Sequence, residues 1–277
     1  MTVAARAMIS DVGAPVEPSG AGGTGPAATG RGRVRIAEVS KVYGDAANPV
    51  RALDRLTLDA EPGGFVCVVG ASGCGKSTLL NLVAGLARPS AGVVDVEGRA
   101  TLMFQEPALF PWLTAARNVE LPLRLDGLAR TERRTRVDEL LAMVHLHEFA
   151  LKRPHELSGG MRQRVALARA LGQRADVLLM DEPFGALDAM TRDVLHDEVE
   201  RIWRDAGLTV LFVTHNVREA VRLGDRVVLL SSRPGRVIAE FPVEIERPRR
   251  IDSPAVATLA ATITDQLRAE VTRHGES

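Results

Sequence analysis

Lysine is scarce in this chain. Of 35 basic residues only Lys41, Lys76 and Lys152 are lysine. A lysine kept against that habit marks a place where a compact ammonium is wanted rather than a planar fork. An excess of charge is missing as well. The 35 Lys plus Arg balance 35 Asp plus Glu, so no basic footprint asks for nucleic acid, and none is expected as a partner. No apolar run approaches the length of a membrane span, so any path through a bilayer would have to come from another chain. The opening residues lack the apolar core of a secretory leader, because Asp11 and several glycines and prolines interrupt it; an intracellular, water-soluble chain is expected. The two cysteines, Cys67 and Cys74, stand seven apart and read as neither a disulfide nor a metal site. His145 and His147 have no further ligand set around them and are expected to be surface or packing residues.

The 277 residues leave room for one substantial domain with a subdomain. Residues 1–32, rich in Ala, Gly and Pro, are expected to be a disordered extension. Residues 33–66 alternate polar and apolar, as at Val34, Ile36 and Val39, and predict an antiparallel strand region. Residues 66–108 and 165–240 predict a parallel α/β core. A mostly helical segment, about residues 109–165, is inserted between them, with the charged run Arg130 to Asp138 as a solvated face. Residues 33–245 thus form one unit, and 246–277 a linker and a helix. In that tail Ser253 and Pro254 read as N-cap and first helical residue, and Val256, Leu259, Ile263, Leu267 and Val271 follow at helical spacing. Arg247 to Arg250 (RPRR) read as a solvated linker, with contact to lipid headgroups as the alternative.

The most informative stretch runs from Gly70 to Thr78, GASGCGKST. It follows an apolar strand, FVCVV at 65–69, and precedes helical spacing at Leu79, Leu82, Val83 and Leu86. That is the context in which a glycine loop cradles phosphate. Gly70, Gly73 and Gly75, with Ala71, Ser72 and Cys74 between them, let the backbone aim N–H groups inward, and the helix adds its positive end. Lys76 is placed to reach β- and γ-phosphates, and Ser77 to ligate Mg²⁺. The same field is expected to favour the thiolate of Cys74, with Cys67 a small core residue.

A second small-residue turn, Leu157-Ser158-Gly159-Gly160, opens another helix. Its free N–H groups and the Ser158 hydroxyl suit an anion, although a serine N-cap alone would explain it. Val177 to Met180 is continuously apolar and ends at Asp181-Glu182-Pro183. Ligands of open parallel sheets sit beyond the carboxyl ends of the strands. There Asp181 can hold hydrated Mg²⁺ and Glu182 can take a proton from an attacking water.

With these motifs in this order the sequence resembles the ATP-binding cassette (ABC) ATPases over about residues 33–235. Gln105 in MFQEPALFPWLT matches the family's Q-loop, Ala186-Leu187-Asp188 in FGALD its D-loop, His215 in VLFVTH its switch histidine, and Tyr43 in VSKVYG its adenine-stacking aromatic. One departure is Met161, where the family's LSGGQ has glutamine; Gln163 does not replace it by position. FPWL at 110–113, LSGGMRQR and Ser231 to Arg236 (SSRPGR) resemble the importers of nitrate, sulfonate, taurine and related solutes. SSRPGR also reads as a β-turn between two strands.

The resemblance implies a P-loop NTPase core of RecA type with an antiparallel β region and an inserted helical subdomain. It implies an ATP hydrolase that uses ATP and Mg²⁺, with Glu182, His215, Gln105 and Lys76 catalytic. Ser77, Gln105 and Asp181 would hold the metal. Tyr43, Gly70 to Thr78, and across a dimer Ser158, Gly159, Gly160 and Asp188 would hold nucleotide. The implied partners are integral membrane permease subunits, a second copy of the chain, and indirectly a solute-binding protein, at the cytoplasmic face of the membrane. An exporter or lipid-handling ATPase, and a soluble ATP-gated clamp, are the alternatives.

Overall fold

The computed structural model describes residues 32–275 apart from positions 46 and 186. The expected disorder of the N-terminal extension and Ala186 of the D-loop stretch lie outside the described residues.

The chain opens with β1 (Val34–Tyr43) and β2 (Val50–Ala60), which pair antiparallel. The apolar strand β3 (Phe65–Val69) follows and leads into α1 (Lys76–Val83). Strand β4 (Ala91–Val96) returns to the far side of β1, also antiparallel, completing a three-stranded sheet β2-β1-β4. Residues 91–96 therefore belong to the antiparallel region and not to the parallel core expected from the sequence. Strand β5 (Ala100–Met103) joins the larger sheet. Next come the helices α2 (Ala115–Leu125) and α3 (Arg130–Met143), within the segment expected to be helical, and α4 (Gly159–Leu171), which begins in it and runs past its expected end at 165. The chain then alternates β6 (Val177–Asp181), α5 (Ala189–Ala206), β7 (Thr209–Val213), α6 (Val217–Leu223) and β8 (Arg226–Leu230). It ends with β9 (Val237–Pro242) and α7 (Pro254–Gly275).

The larger sheet has the order β5-β6-β7-β3-β8-β9. All its neighbours are parallel except β8 and β9. The antiparallel β9 is a second departure from the expected parallel core, while its pairing with β8 agrees with the reading of SSRPGR as a turn between two strands. Its residues alternate between half-buried and exposed, as an edge strand wet on one face should.

β3 is buried at every position because it has neighbours on both edges and packing on both faces. Its side chains divide by the strand's period of two. Phe65, Cys67 and Val69 enter a core shared with the helical insert, α5, α6 and α7; Val66 and Val68 enter a core shared with α1 and the antiparallel sheet. Burying one such side chain contributes roughly 1.5–3 kcal/mol, so the two layers fix where β3 ends.

The tail matches its sequence pattern at the start. Ser253 accepts from the Val256 N–H at 3.4 Å, and Val256 and Ile263 are buried, while Val271 is exposed. The RPRR segment is only partly the solvated linker expected: Pro248 and Arg250 are exposed, whereas Arg247 and Arg249 are tied to the core. Arg249 is 5% exposed and donates to the carbonyls of Val221, Gly224, Val243 and Ile245. Arg247 stacks on the Trp203 ring at 4.6 Å and pairs with Glu200 at 3.0 Å and Asp225 at 2.8 Å. These contacts pin the approach to α7 against α5 and α6.

Candidate nucleotide site

Four neighbouring strands deliver the predicted chemistry at their carboxyl ends. β5 leads to Gln105, β6 ends at Asp181 and is followed by Glu182, β7 leads to Thr214 and His215, and β3 leads into the glycine loop. The strand order, not the sequence order, makes these ends adjacent. An open cleft of about 490 Å³ lies there, lined by Tyr43, Ser72, Gly73, Gly75, Lys76, Ser77, Thr78, Gln105, Glu182 and Arg233, with Val50 and Ala52.

The loop at 70–75 turns where a side chain would not fit. Gly75 caps α1 with φ +105°, and a Cβ there would stand 2.7 Å from Leu53. Lys76 is buried, and its Nζ donates to the Gly70 and Ala71 carbonyls, each at 2.9 Å. Cys74 is buried as well, and burial pushes its thiol up despite Lys76 nearby. The expected thiolate is therefore corrected: the Cys74 side chain joins the apolar core between the sheets. Burial raises Cys67 further still.

Ser77, in the first turn of α1, faces the Asp181 carboxyl at the end of β6. Burial holds Asp181 above its ordinary value, with Ser77 and Lys76 opposing and Glu182 adding to the rise. Glu182 follows with φ +42°, a left-handed conformation that costs a non-glycine residue about 1–3 kcal/mol. Its Oε2 lies 2.8 Å from His215 Nδ1. His215 is held from below. Thr214 donates its hydroxyl to Glu219, and Glu219 Oε1 is 2.6 Å from Nε2 of His196, a fully buried histidine on α5. Asn216 caps α6 through the N–H groups of Arg218 and Glu219.

The oxygen donors Ser77, Asp181 and Gln105 are the hard set that Mg²⁺ prefers. Among the described residues no three His, Cys, Asp or Glu side chains form an all-protein cage. A cation here would complete its coordination with phosphate oxygens and water, the habit of Mg²⁺.

Tyr43 is 41% exposed, with Lys41 Nζ 4.9 Å from its ring centroid. It is a rim residue, not core. Ser158, Gly159, Gly160 and Asp188 are not among the cleft residues. Ser158 caps α4 by accepting from the Met161 N–H at 3.2 Å, and Asp188 caps α5 by accepting from Thr191 at 3.0 Å, which holds its carboxyl below the usual range. Met161 packs against the apolar core. Gln163 points back, and its Nε2 donates to the Gln105 carbonyl at 2.9 Å, while its buried Oε1 has no partner. Sequence reading passed over this tie between α4 and the Gln105 loop. It also passed over the His196–Glu219 support; the one signal was two ionisable residues at core-facing helical positions. His145 and His147 are exposed, as expected.

The family model described as ABC transporter matches residues 53–185. The taurine import ATP-binding protein TauB of Rhizobium johnstonii is 45% identical, covering 80% of this chain and 88% of its own. The bicarbonate transport ATP-binding protein CmpD of Synechococcus elongatus is 44% identical, covering 79% and 84%. Among solved structures, a dimeric post-hydrolysis state of the ATP-binding cassette MJ0796 bound to ADP and Pi superposes with a TM-score of 0.69 at 34% identity. It covers 77% of this chain and all of that one.

Proposed function

Because the chain belongs to the ABC transporter family of ATP-binding subunits, we propose that it hydrolyses ATP to drive import of a small solute, of the sulfonate, nitrate or taurine kind, through a separate permease. The carrying observation is a cleft lined by Lys76, Ser77, Gln105 and Glu182 in which Ser77 has Asp181 as its neighbour and Glu182 has His215 at 2.8 Å. Tyr43 stacks on the adenine. The N–H groups of residues 70–78 and Lys76 take the phosphates, with Lys76 exchanging its two carbonyl partners for phosphate oxygens. Ser77, Asp181 and Gln105 would hold Mg²⁺, which when bound neutralises charge on the β- and γ-phosphates. Glu182 accepts the proton of the attacking water as its oxygen bonds to the γ-phosphorus and the bond to ADP breaks. His215 orients Glu182 and that water.

No helix of the described residues is long and apolar enough to cross a membrane. Between the Gln105 loop and the helical insert lies an apolar groove of about 250 Å³, lined by Leu102, Phe104, Phe110, Leu121 and Leu125 among others. Phe104, Trp112 and Leu125 are exposed beside it or within it. It suits a coupling helix of the permease, with the chain peripheral at the cytoplasmic face and a solute-binding protein acting indirectly. Gln163 and Gln105 would carry its position to the cleft.

Ser158 and Gly160 do not line the cleft of the chain's own glycine loop, so two copies would sandwich two ATP molecules head to tail, each glycine loop facing the partner's Ser158. Light scattering tests this. Glu182→Gln should dimerise with Mg-ATP, and adding Ser158→Arg should abolish the dimer while ATP binding survives. A double variant that dimerises like the single one contradicts the shared site.

A further inference from the structure

The turn between β8 and β9, SSRPGR, carries two arginines with different fates. Arg236 is fixed: it pairs with the buried carboxylate of Asp54, which also takes Arg51 at 3.2 Å. Arg233 pairs with no carboxylate of the described residues. Its Nε donates to the Gly73 carbonyl at 3.2 Å, inside the glycine loop, and it lines the same cleft as Tyr43, Lys76 and Thr78. A guanidinium carries five N–H donors, and one carbonyl occupies one of them.

The turn that presents Arg233 is tightly fastened. The Ser231 hydroxyl donates to the Pro234 carbonyl at 2.8 Å and accepts from the Arg236 N–H at 2.9 Å. Gly235 exchanges backbone bonds with β2, donating to Ala52 at 2.9 Å and accepting from Asp54 at 3.1 Å. Ser232 N–H donates to Glu270 on α7 at 3.3 Å. Gly235 lies so close on the Cys74 carbonyl that a Cβ there would collide with it. The turn is thus stacked on the glycine loop itself, and only glycine permits that approach. Arg233 and Lys76 are the two cations of the cleft lining.

We propose that Arg233 is a further nucleotide-binding residue, its guanidinium taking an oxygen of the polyphosphate as a second cation beside Lys76. This rests on the ATPase reading above. A free fork on a fixed turn beside the phosphate loop can form a charge-assisted hydrogen bond with little ordering cost. The ligand class is a nucleoside di- or triphosphate.

The test is calorimetric titration with Mg²⁺ and a non-hydrolysable ATP analogue, at two ionic strengths, on wild type, Arg233→Gln and Arg233→Lys. Wild-type binding bears on the ATPase reading alone; the comparison of variants bears on Arg233. Arg233→Gln should bind about tenfold more weakly, with a shallower salt dependence and an unchanged melting temperature of the nucleotide-free protein. Arg233→Lys keeps the charge and should keep most of the affinity. Equal affinity and salt dependence in Arg233→Gln would overturn the proposal. So would a loss of affinity matched by a lower nucleotide-free melting temperature, which would make Arg233 a strut of the loop.

Discussion

His215 Nδ1 lies 2.8 Å from Glu182 Oε2, joining the second residue after β7 to the residue directly after β6. Removing the imidazole leaves the carboxylate in place but free to turn. His215→Ala should therefore lower steady-state hydrolysis by about 10²-fold while ATP affinity changes little. A parallel loss of affinity would show that His215 acts in binding.

Much of this site is legible in the sequence because it depends on local spacing. Strand, glycine loop and helix are contiguous from Phe65 to Val83, and the acids follow their strand directly. What stays hidden is set by distant partners. The pattern of β4 fits either sheet, and only its pairing with β1 decides. The polar ring around Arg249 comes from carbonyls of α6 and its neighbours, which no charge pattern along the chain reveals. Cys74 departs from the expectation for a related reason. The loop's inward N–H groups are a backbone property, whereas the thiol follows its own Cβ into the core. Arg233 read as part of a turn, and only the stacking of that turn on Cys74 places it at the cleft.

Arg249 and Arg250 are adjacent and should behave oppositely. Arg249→Ala leaves several buried carbonyls without a donor, and should destabilise the protein by about 2–3 kcal/mol. Arg250 is exposed and among the described residues pairs with Asp252 alone, so Arg250→Ala should be near neutral. Urea titration of both variants checks this. Equal effects would show that the ring of carbonyls does not hold the tail.

Asp181 predicts a conflict between stability and chemistry. Its folded-state pKa is raised, chiefly by burial, so its ionisation favours the unfolded chain once the pH exceeds the ordinary carboxylate value. Asp181→Asn should raise the melting temperature of the nucleotide-free protein at pH 7, and the gain should fade as the pH falls below that value. The same variant should lose the Mg²⁺ dependence of nucleotide binding. A lower melting temperature at pH 7 would mean that the Ser77 bond outweighs burial.

The central claim is that Glu182 takes the proton from water. Phosphate release and nucleotide affinity, measured side by side on Glu182→Gln, test it most directly. The account predicts hydrolysis reduced by roughly 10²-fold or more with the dissociation constant for Mg-ATP retained. Near-normal turnover in this variant would contradict it and remove Glu182 from the mechanism.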